Sequence, residues 1–197
     1  MKSNITVILT LYKTPISKIK NLNNYKNYNT IIFEQNSDGK FKNELYKKLN
    51  YKFKYYYSYK NIGLSKSSNF LLSKVKTKYC LFTQPDINIS NITIKMLKKG
   101  MNKDIIFASP KYVKKIKKKD YSDKKPKVKI VNNLNMACIL MDVSKIKKAL
   151  RKSGLGILKF EQISPLTSKT AKKPVSVIKD PDSKKSVIKF QLRHGDC

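Results

Sequence analysis

Acidic residues are scarce in this chain, and several of them stand where apolar stretches end. The chain contains 44 Lys and Arg residues against 12 Asp and Glu residues, and eight of the acids precede residue 149. Three of those eight, Glu34, Asp38 and Asp86, come at or just after the ends of predicted strands. A group of carboxylates at such positions suits a divalent cation and a phosphorylated ligand, because Mg²⁺ binds carboxylate and phosphate oxygen.

Other polar or small residues follow predicted strands in the same way. In an open α/β sheet, ligands bind beyond the carboxyl ends of the strands, so these residues are candidates for a binding site. In chain order they are Thr10 and Tyr12 after the first strand, Glu34 to Gly39 after the second, Asn61, Ile62 and Gly63 after the third, with Asn69 one stretch of helix further on, and Gln84, Pro85 and Asp86 after the fourth. Ordinary turns explain each group taken alone. The order and spacing of the whole set therefore indicate more than any single member.

Apolar stretches alternate with helical ones along the first 148 residues. Runs of β-branched and aromatic residues predict strands at residues 5–12, 28–35, 53–59, 79–83 and 104–110. Helical spacing and capping residues predict helices at residues 15–22 after Thr14, 41–49, 64–75, 91–99 after Ser90, and 145–150 after Ser144. This alternation is typical of an α/β fold with a mostly parallel sheet and helices on both faces.

The composition changes after about residue 149. All 12 tyrosines precede that point, no asparagine follows it, and both arginines belong to the tail. We therefore predict one domain at residues 1–148 and a compositionally distinct, poorly defined C-terminal tail at residues 149–197, either flexible or of different origin. If the tail folds, its segments 175–180 and 185–190 are expected to pair as a hairpin.

The formal net charge of +32 bears on the choice of partners. A positive surface attracts nucleic acid, anionic lipid or phosphorylated ligands, whereas an AT-rich genome produces a lysine-rich chain without any functional requirement. Arginine is nearly absent, which argues against sequence-specific nucleic-acid binding.

The three cysteines lack metal-binding or redox spacing. No apolar run approaches the ~18 residues of a membrane span, and no signal peptide is recognised, so a reducing cytosol is expected.

Four segments occur in the order found in a known enzyme family. They read ITVILTLYK, IIFEQNSDG, YKNIGLSKSSN and YCLFTQPDI. Together they resemble the nucleotide-sugar half of family-2 glycosyltransferases, especially the rhamnosyltransferase-like branch, over about residues 5–148. In that family a strand ending in a Thr/Pro-x-Tyr-like stretch precedes a strand ending in DNSS, an N-x-G-x-x-x-x-x-N segment and a strand ending in D-x-D or N-P-D. The resemblance implies a GT-A-like (Rossmann-like) fold.

The resemblance also implies roles for the residues at the strand ends. Glu34 stands where the family places an aspartate against the nucleotide base, and Asp86 matches the carboxylate that holds Mg²⁺ or Mn²⁺ on the donor diphosphate. Such a cation neutralises charge that grows as the leaving group departs. The residues implied to bind the nucleotide-sugar are Thr10, Tyr12, Glu34, Asn61, Gly63, Asn69 and Gln84.

The sequence departs from the family pattern at three places. Gln84 replaces the first acid of the metal motif, and Glu34 and Gln35 replace the Asp-Asn pair. The acidic and aromatic segment that normally follows and supplies the general base is absent. Because an inverting transfer needs a carboxylate near the acceptor hydroxyl, Glu161 is the nearest candidate in sequence for the catalytic base.

Three functions remain open at this point. The first is a metal-dependent glycosyltransferase that moves a sugar from a nucleotide-diphosphate sugar to a glycan or lipid-linked acceptor in cell-envelope polysaccharide synthesis. It would be cytoplasmic, with peripheral contact to the anionic inner membrane face through lysines of residues 112–129. The second is a catalytically impaired or truncated remnant that only binds the donor. The third is a basic nucleic-acid-binding protein, with YKFKYYYSYK as its stacking surface, although a buried strand explains the same residues.

Overall fold

The computed structural model of the chain describes residues 3–19, 22–87, 89–103, 105–110, 129–130, 137–152, 160–161, 176–179 and 190–191. Its elements in chain order are β1 (Ile5–Tyr12), two 3-10 helices (Ile16–Lys18 and Leu22–Tyr25), β2 (Asn29–Gln35), α1 (Phe41–Lys48), β3 (Lys54–Ser58), α2 (Leu64–Lys74), β4 (Tyr79–Thr83), α3 (Asn91–Gly100), β5 (Ile105–Ser109), β6 (Lys129–Ile130), β7 (Cys138–Asp142), α4 (Val143–Lys152), β8 (Phe160–Glu161), β9 (Ser176–Lys179) and β10 (Phe190–Gln191). The predicted boundaries of β1 to β5 and of α1 to α3 agree with these within one residue.

The main sheet of the described residues has eight strands in the order β3-β2-β1-β4-β7-β5-β9-β6. The first four strands in this order are mutually parallel, β7 is antiparallel to both β4 and β5, and β9 is antiparallel to β5. Strands β8 and β10 form a separate two-stranded sheet. The predicted α/β fold with a mostly parallel sheet is confirmed, because the four neighbouring strands from β3 to β4 run in one direction.

Two short strands of the predicted tail have partners other than those expected. Strand β9 lies between β5 and β6 in the main sheet, and β10 pairs with β8. The hairpin prediction for residues 175–180 and 185–190 is wrong, because both edges of β9 are already occupied by other strands. Pairing between segments distant in sequence depends on which sheet edge is free, which local patterns do not reveal. The domain boundary near residue 149 stays a prediction.

Helices cover both faces of the sheet and create two apolar cores. On one side, called the α2 face, Leu71 of α2 packs in a cluster that includes Phe82 of β4. On the other side, called the α1 face, Leu45 of α1 and Leu97 of α3 share a cluster with Leu81. The neighbours Leu81 and Phe82 belong to opposite cores because side chains alternate along a strand. The α2 face also carries α4.

The helix predicted at residues 15–22 is not an α-helix. The chain forms the two short 3-10 helices Ile16–Lys18 and Leu22–Tyr25 in this region. Thr14 caps neither of them, because its hydroxyl donates to the backbone carbonyl of Tyr12 at 3.1 Å. A threonine that bonds its own neighbourhood offers the backbone an alternative to helix, and so short a run does not repay helix nucleation.

The predicted N-cap of α3 is correct, and the predicted N-cap of α4, Ser144, is wrong. Ser90 caps α3 as predicted, accepting from the Thr93 backbone N–H at 3.1 Å. At α4 the cap is Asp142, whose Oδ1 accepts from the backbone N–H groups of Ser144 at 3.1 Å and Lys145 at 3.2 Å. Asp142 pairs with the first residue of β4. This buried acid therefore stabilises a helix at the sheet edge opposite the predicted site.

Candidate functional site

The carboxyl ends of the four parallel strands β1 to β4 form one edge of the sheet, called the C-terminal rim. Tyr12 at the end of β1 pairs with Gln35 at the end of β2, which pairs with Ser58 at the end of β3. Thr83 at the end of β4 pairs with Cys138 at the start of antiparallel β7. The loops after four strands and the segment before β7 therefore meet at this rim.

The loop between β3 and α2 is fixed to the end of β2. The backbone N–H of Ile62 donates to Gln35 Oε1 at 3.0 Å, and Gln35 is only 4% exposed. The side chain of Asn61 accepts from the Gly63 N–H at 2.9 Å, and Gly63 precedes α2 with a φ of 80°. A glycine suits this position because the left-handed region penalises a Cβ. The loop that carries Asn61 and Gly63 is thereby held in one conformation.

A buried serine joins the same loop to the end of β1. Ser67 Oγ lies 3.0 Å from the carbonyl oxygens of both Gly63 and Leu64. Thr10 Oγ1 donates to Ser67 Oγ at 3.5 Å. Because a buried hydroxyl without a partner is costly, these contacts favour a fixed spacing between Thr10 and Gly63. Two of the predicted binding residues are thus connected through one hydroxyl group.

Two further predicted binding residues are Asn69, which lies in α2, and Tyr12, which ends β1. Asn69 is in α2, and its Nδ2 donates to the Ser65 carbonyl at 2.7 Å. Tyr12 is 46% exposed at the end of β1, with Lys13 Nζ 5.7 Å from its ring centre. An exposed ring offers a flat apolar surface to a base or a sugar. The binding roles of Asn69 and Tyr12 stay predictions.

Glu34 lies at the same rim but on the α1 face. Its Oε2 atom accepts hydrogen bonds from Ser37 Oγ and from the Tyr55 hydroxyl. Tyr55 packs against the α1-face core, whereas the loop residue Ile62, bonded to Gln35, packs against the α2-face core. Burial, followed by the bond to Glu34, raises the pKa of the Tyr55 phenol, so Tyr55 stays protonated and remains a donor.

The turn after β2 passes close to a tyrosine of the edge strand. Asn36 and Gly39 have positive φ angles of 56° and 84°. Ser37 Oγ accepts from the Gly39 N–H at 3.0 Å. Lys40 forms an exposed ion pair with Asp38 at 2.7 Å, and its hydrogen bond lowers the pKa of Asp38. The side chains of Ser37, Asp38 and Lys40 therefore shape the turn next to Glu34.

Gly39→Ala is expected to destabilise the protein more than Gly63→Ala. A Cβ at residue 39 would lie 2.9 Å from Cε1 of Tyr57, whereas around residue 63 the described residues leave open space. The positive φ costs about 1 kcal/mol at either position, and the steric conflict adds about 1–2 kcal/mol at Gly39. Urea denaturation of both variants measures the difference in the free energy of unfolding. Equal losses would contradict the close approach of Gly39 to Tyr57.

Strand β4 ends in a turn that brings Asp86 to the surface. The backbone N–H of Gln84 donates to the Ala137 carbonyl at 3.0 Å, and the Ile87 N–H donates to the Gln84 carbonyl at 3.3 Å. The fully buried Thr83 hydroxyl donates to the Ala137 carbonyl at 3.3 Å. Asp86 is exposed in the turn that these bonds hold. The start of β7 thus fixes the position from which Asp86 projects.

A divalent cation that is held mainly by a substrate needs few protein ligands. Mg²⁺ is commonly bound by one or two carboxylates together with substrate phosphates and water. Within the described part of the chain, no group of three His, Cys, Asp or Glu side chains is placed to hold a metal ion. The role of Asp86 as a metal ligand stays a prediction.

Three residues that are not among the nucleotide-sugar-binding residues implied by the resemblance position these loops. Gln35 and Ser67 hold the loop before α2, and Tyr55 binds Glu34. Side chains alternate between the two faces of the sheet along β2, so the sequence does indicate that Glu34 and Gln35 lie on opposite faces. Glu161 lies in β8, in register with Gln191 of β10 and outside the main sheet. Its role as a catalytic base stays a prediction.

No protein-family model matches the sequence, and no curated protein sequence is significantly similar to it. Among solved structures, the fold is similar to that of mannosyltransferase PcManGT from Pyrobaculum calidifontis, determined in complex with GDP-Man and Mn²⁺. The TM-score is 0.56 at 12% identity over 81% of this chain. The match covers 48% of the mannosyltransferase, so the chain spans about half the length of that protein.

Two other solved structures are less similar. 4-Diphosphocytidyl-2C-methyl-D-erythritol synthase from Anaerococcus prevotii matches with a TM-score of 0.48 and 14% identity over 75% of each chain. S. aureus TarS 1-349 matches with a TM-score of 0.43 and 15% identity over 78% of this chain and 49% of TarS. The sheet topology and the likeness to the mannosyltransferase define a GT-A-like α/β fold, as the sequence predicted.

Proposed function

We propose that the chain is a metal-dependent glycosyltransferase that binds a nucleotide-sugar at the C-terminal rim. It would transfer the sugar to a glycan or lipid-linked acceptor in cell-envelope polysaccharide synthesis, as in the family-2 enzymes that the sequence resembles. The GT-A-like fold supports this proposal, since ligands of open α/β sheets bind at the carboxyl ends of the strands. Substrate, acceptor and metal dependence belong to the proposal alone.

The observation that carries the proposal is the attachment of one loop to two strand ends. Gln35 of β2 bonds the backbone of Ile62, and Ser67 links Gly63 to Thr10 of β1. Residues that are far apart in sequence are thereby joined on one face of the sheet, at the edge where open α/β sheets generally bind ligands. A preorganised loop of this kind lowers the entropy cost of binding a flexible donor.

The donor is proposed to lie across the strand ends, with its base toward β2 and β3 and its diphosphate toward β4. Glu34 and the loop with Asn61 and Gly63 would contact the nucleoside, and Gln84 would contact the diphosphate or the sugar. Asp86 would hold Mg²⁺ or Mn²⁺, which stabilises the charge on the leaving diphosphate when it is bound. The chain's own residues bind the donor and orient its sugar carbon toward the acceptor.

We propose that the enzyme meets its acceptor at the cytoplasmic surface of a membrane. In the described part of the chain, no helix is long and apolar enough to cross a bilayer. The net charge of +32 favours peripheral contact with anionic lipid, at about 1 kcal/mol for each basic residue near the surface. A nucleic-acid partner is less well supported, because Tyr55 and Tyr56 of the proposed stacking segment pack against the two cores.

A donor-binding protein without transfer activity is the alternative. The sequence lacks the acidic segment that supplies the general base in the resembling family, and Glu161 is the nearest substitute. Such a remnant would keep the C-terminal rim and its loops. It differs from the enzyme only in turnover, so a binding experiment alone does not separate the two.

Calorimetric titration with UDP-, dTDP- and GDP-sugars, with Mn²⁺ or with EDTA, tests the proposal. We expect at least one donor to bind in the micromolar range, and more weakly without the metal, because diphosphate binding depends on the cation. Turnover of that donor, as transfer or slow hydrolysis, identifies an enzyme; binding without turnover identifies the remnant. Failure of every donor to bind would contradict both versions.

A further inference from the structure

Two neighbouring tyrosine side chains are exposed at strand β3. Tyr57 is 45% exposed, and Tyr59, directly after the strand, is 71% exposed. A single exposed tyrosine needs no explanation, because much of any protein surface is apolar. These two rings touch, however, with their centres 5.5 Å apart, and the ring of Tyr55 continues the series at 6.4 Å from that of Tyr57. Tyr55, Tyr57 and Tyr59 therefore form one contiguous aromatic surface, called the tyrosine row.

The tyrosine row lies at an edge of the main sheet and is held from within. Strand β3 is the first in the strand order, so among the described residues no strand pairs with its outer edge. The Tyr55 hydroxyl donates to Glu34, and Gly39 lies so close to Tyr57 that a Cβ there would be 2.9 Å from the ring. A surface whose side chains are already fixed loses less entropy when a ligand binds.

The segment that contains the tyrosine row carries only positive charge. Lys54 precedes the row, Lys60 follows it, and both side chains are exposed. No acidic residue occurs between Glu44 and Asp86 in the sequence. Within the described part of the chain, neither Lys54 nor Lys60 forms an ion pair. The two lysines can therefore attract an anionic ligand to the row.

Two acids from the neighbouring strand and its turn lie near the tyrosine row, and both already have partners. Asp38 raises the pKa of the Tyr57 phenol only after the larger effect of Tyr59, and its carboxylate is paired with Lys40 at 2.7 Å. Glu34 accepts the hydrogen bond of the Tyr55 hydroxyl. The exposed outer end of the row, at Tyr59, therefore remains open to a negatively charged ligand.

Flat rings next to positive charge suit two kinds of polymer, single-stranded nucleic acid and anionic polysaccharide. The rings of Tyr57 and Tyr59 lie at 85° to each other, whereas bases that stack in succession along a strand are nearly parallel. In a polysaccharide the successive sugar rings are rotated about their linkages, so their apolar C–H faces can pack on aromatic rings set at an angle. Arginine, which adds cation–π contacts in nucleic-acid sites, does not occur before residue 151. The geometry therefore favours a polysaccharide.

We propose that the tyrosine row binds an anionic polysaccharide. Its sugar rings would pack on Tyr57 and Tyr59, and its carboxylate or phosphate groups would meet Lys54 and Lys60. The inference goes beyond the proposed function, because it assigns a binding surface outside the donor site and requires neither a nucleotide nor a cation.

Calorimetric titration of the full chain tests the proposal with four polymers: polygalacturonate, phosphorylated dextran, neutral dextran and a single-stranded oligothymidylate. The titrations are made at about 0.15 M salt, because binding by bulk charge alone weakens steeply with salt. We expect polygalacturonate or phosphorylated dextran to bind at least about threefold more tightly than the oligothymidylate, and neutral dextran to bind most weakly, because the perpendicular rings suit sugars and the lysines require charge.

Variants of the tyrosine row test the role of the rings. Tyr59→Ala should weaken polysaccharide binding at least about threefold, and the double variant Tyr57→Ala with Tyr59→Ala at least about tenfold, because each ring supplies apolar contact area. The double variant with phenylalanine at both positions keeps the rings and should retain most of the affinity. Ile92→Ala is the control, because Ile92 is also exposed but lies in α3; its affinity should equal that of the wild type.

A matched pair of lysine variants separates the local charge from the total charge. Lys54→Gln with Lys60→Gln removes two positive charges beside the tyrosine row, and Lys95→Gln with Lys98→Gln removes two from the exposed side of α3. Both variants have the same net charge. We expect the first pair to weaken polysaccharide binding at least about threefold more than the second.

The outcomes decide the inference independently of the proposed function, because no nucleotide-sugar is present. The inference is overturned if neither anionic polysaccharide binds, if the oligothymidylate binds more tightly than both, if Tyr59→Ala binds like the wild type, or if the two lysine pairs lose equal affinity. A circular dichroism melt identifies a double variant that does not fold, and Tyr59→Ala then decides. Binding of polysaccharide through the row without binding of any nucleotide-sugar would contradict the proposed function and leave this inference standing.

Discussion

Asp86→Ala is expected to remove the metal-dependent part of donor binding. In the wild type, replacing EDTA by Mn²⁺ should tighten donor binding, and in the variant this gain should be lost. The reason is that Asp86 is an exposed carboxylate at the end of β4, where the donor diphosphate is proposed to lie. Loss of even an outer partner of a metal ligand costs 10–100-fold in metal affinity, so the loss of a direct ligand should cost at least about tenfold.

The control for Asp86→Ala is Glu44→Ala. Glu44 is also an exposed acid, but it lies in α1, so its removal changes the net charge equally without changing the turn after β4. The donor is titrated calorimetrically into both variants, once in the presence of Mn²⁺ and once in the presence of EDTA. If Asp86→Ala keeps the full metal dependence of the wild type, Asp86 is not a ligand. If Glu44→Ala loses as much, the effect is one of overall charge.

Gln35→Met is expected to loosen the loop before α2 and to weaken donor binding about tenfold. Methionine has nearly the shape of glutamine but cannot accept the hydrogen bond that Ile62 donates to Gln35 at 3.0 Å. A backbone N–H that loses its partner costs about 1–3 kcal/mol, so the loop conformation with Asn61 and Gly63 becomes less populated. A binding site whose competent conformation is less populated has a lower apparent affinity.

Amide hydrogen exchange measures this effect directly, and it does not depend on any substrate. The Ile62 N–H should exchange at least about tenfold faster in Gln35→Met than in the wild type. Ser68→Ala is the control: Ser68 is a buried polar residue of α2 whose hydroxyl has no partner among the described residues. Its removal should leave the Ile62 exchange rate unchanged. Unchanged exchange in Gln35→Met would show that the Gln35 bond does not hold the loop.

Local patterns in the sequence predicted the elements that depend mainly on local physics. The continuous apolar run at Ile5–Tyr12 predicted a strand buried on both faces, and both of its ends agree with β1. Ser90 predicted the start of α3 because its hydroxyl caps the first turn. These features require only neighbours within a few residues, which the sequence contains.

The position of β7 could not be predicted in the same way. Its apolar residues indicate a strand, but nothing in them determines that it is inserted between β4 and β5 in the antiparallel direction. That placement is specific to this fold and depends on contacts between segments more than fifty residues apart, such as the pairing of Thr83 with Cys138. It matters for the site, because the carbonyl of Ala137 holds the turn that carries Asp86.

The sequence predicted that the candidate residues lie at the ends of strands, but it did not predict the contacts between them. The rule that ligands bind beyond strand ends is enough to place Thr10, Gln84 and Asp86 at one rim from the sequence alone. The rule does not distinguish Glu34, which is bonded to Tyr55 on the α1 face, from Gln35, which is bonded to the loop on the α2 face. Such contacts join different strands, so they follow from sheet order and register rather than from local pattern.

Paramagnetic broadening of amide signals by Mn²⁺ tests most directly whether the rim binds a nucleotide together with its cation. The measurement compares NMR spectra of the protein with Mn²⁺ or Mg²⁺ and the nucleoside diphosphate that binds most tightly. We expect the amides of Gln84, Asp86 and Ala137 to be broadened by Mn²⁺, while those of Ser144 and Lys145 at the opposite edge of the sheet stay sharp. Broadening centred on the opposite edge, or spread evenly over the surface, would contradict a metal–nucleotide site at the C-terminal rim.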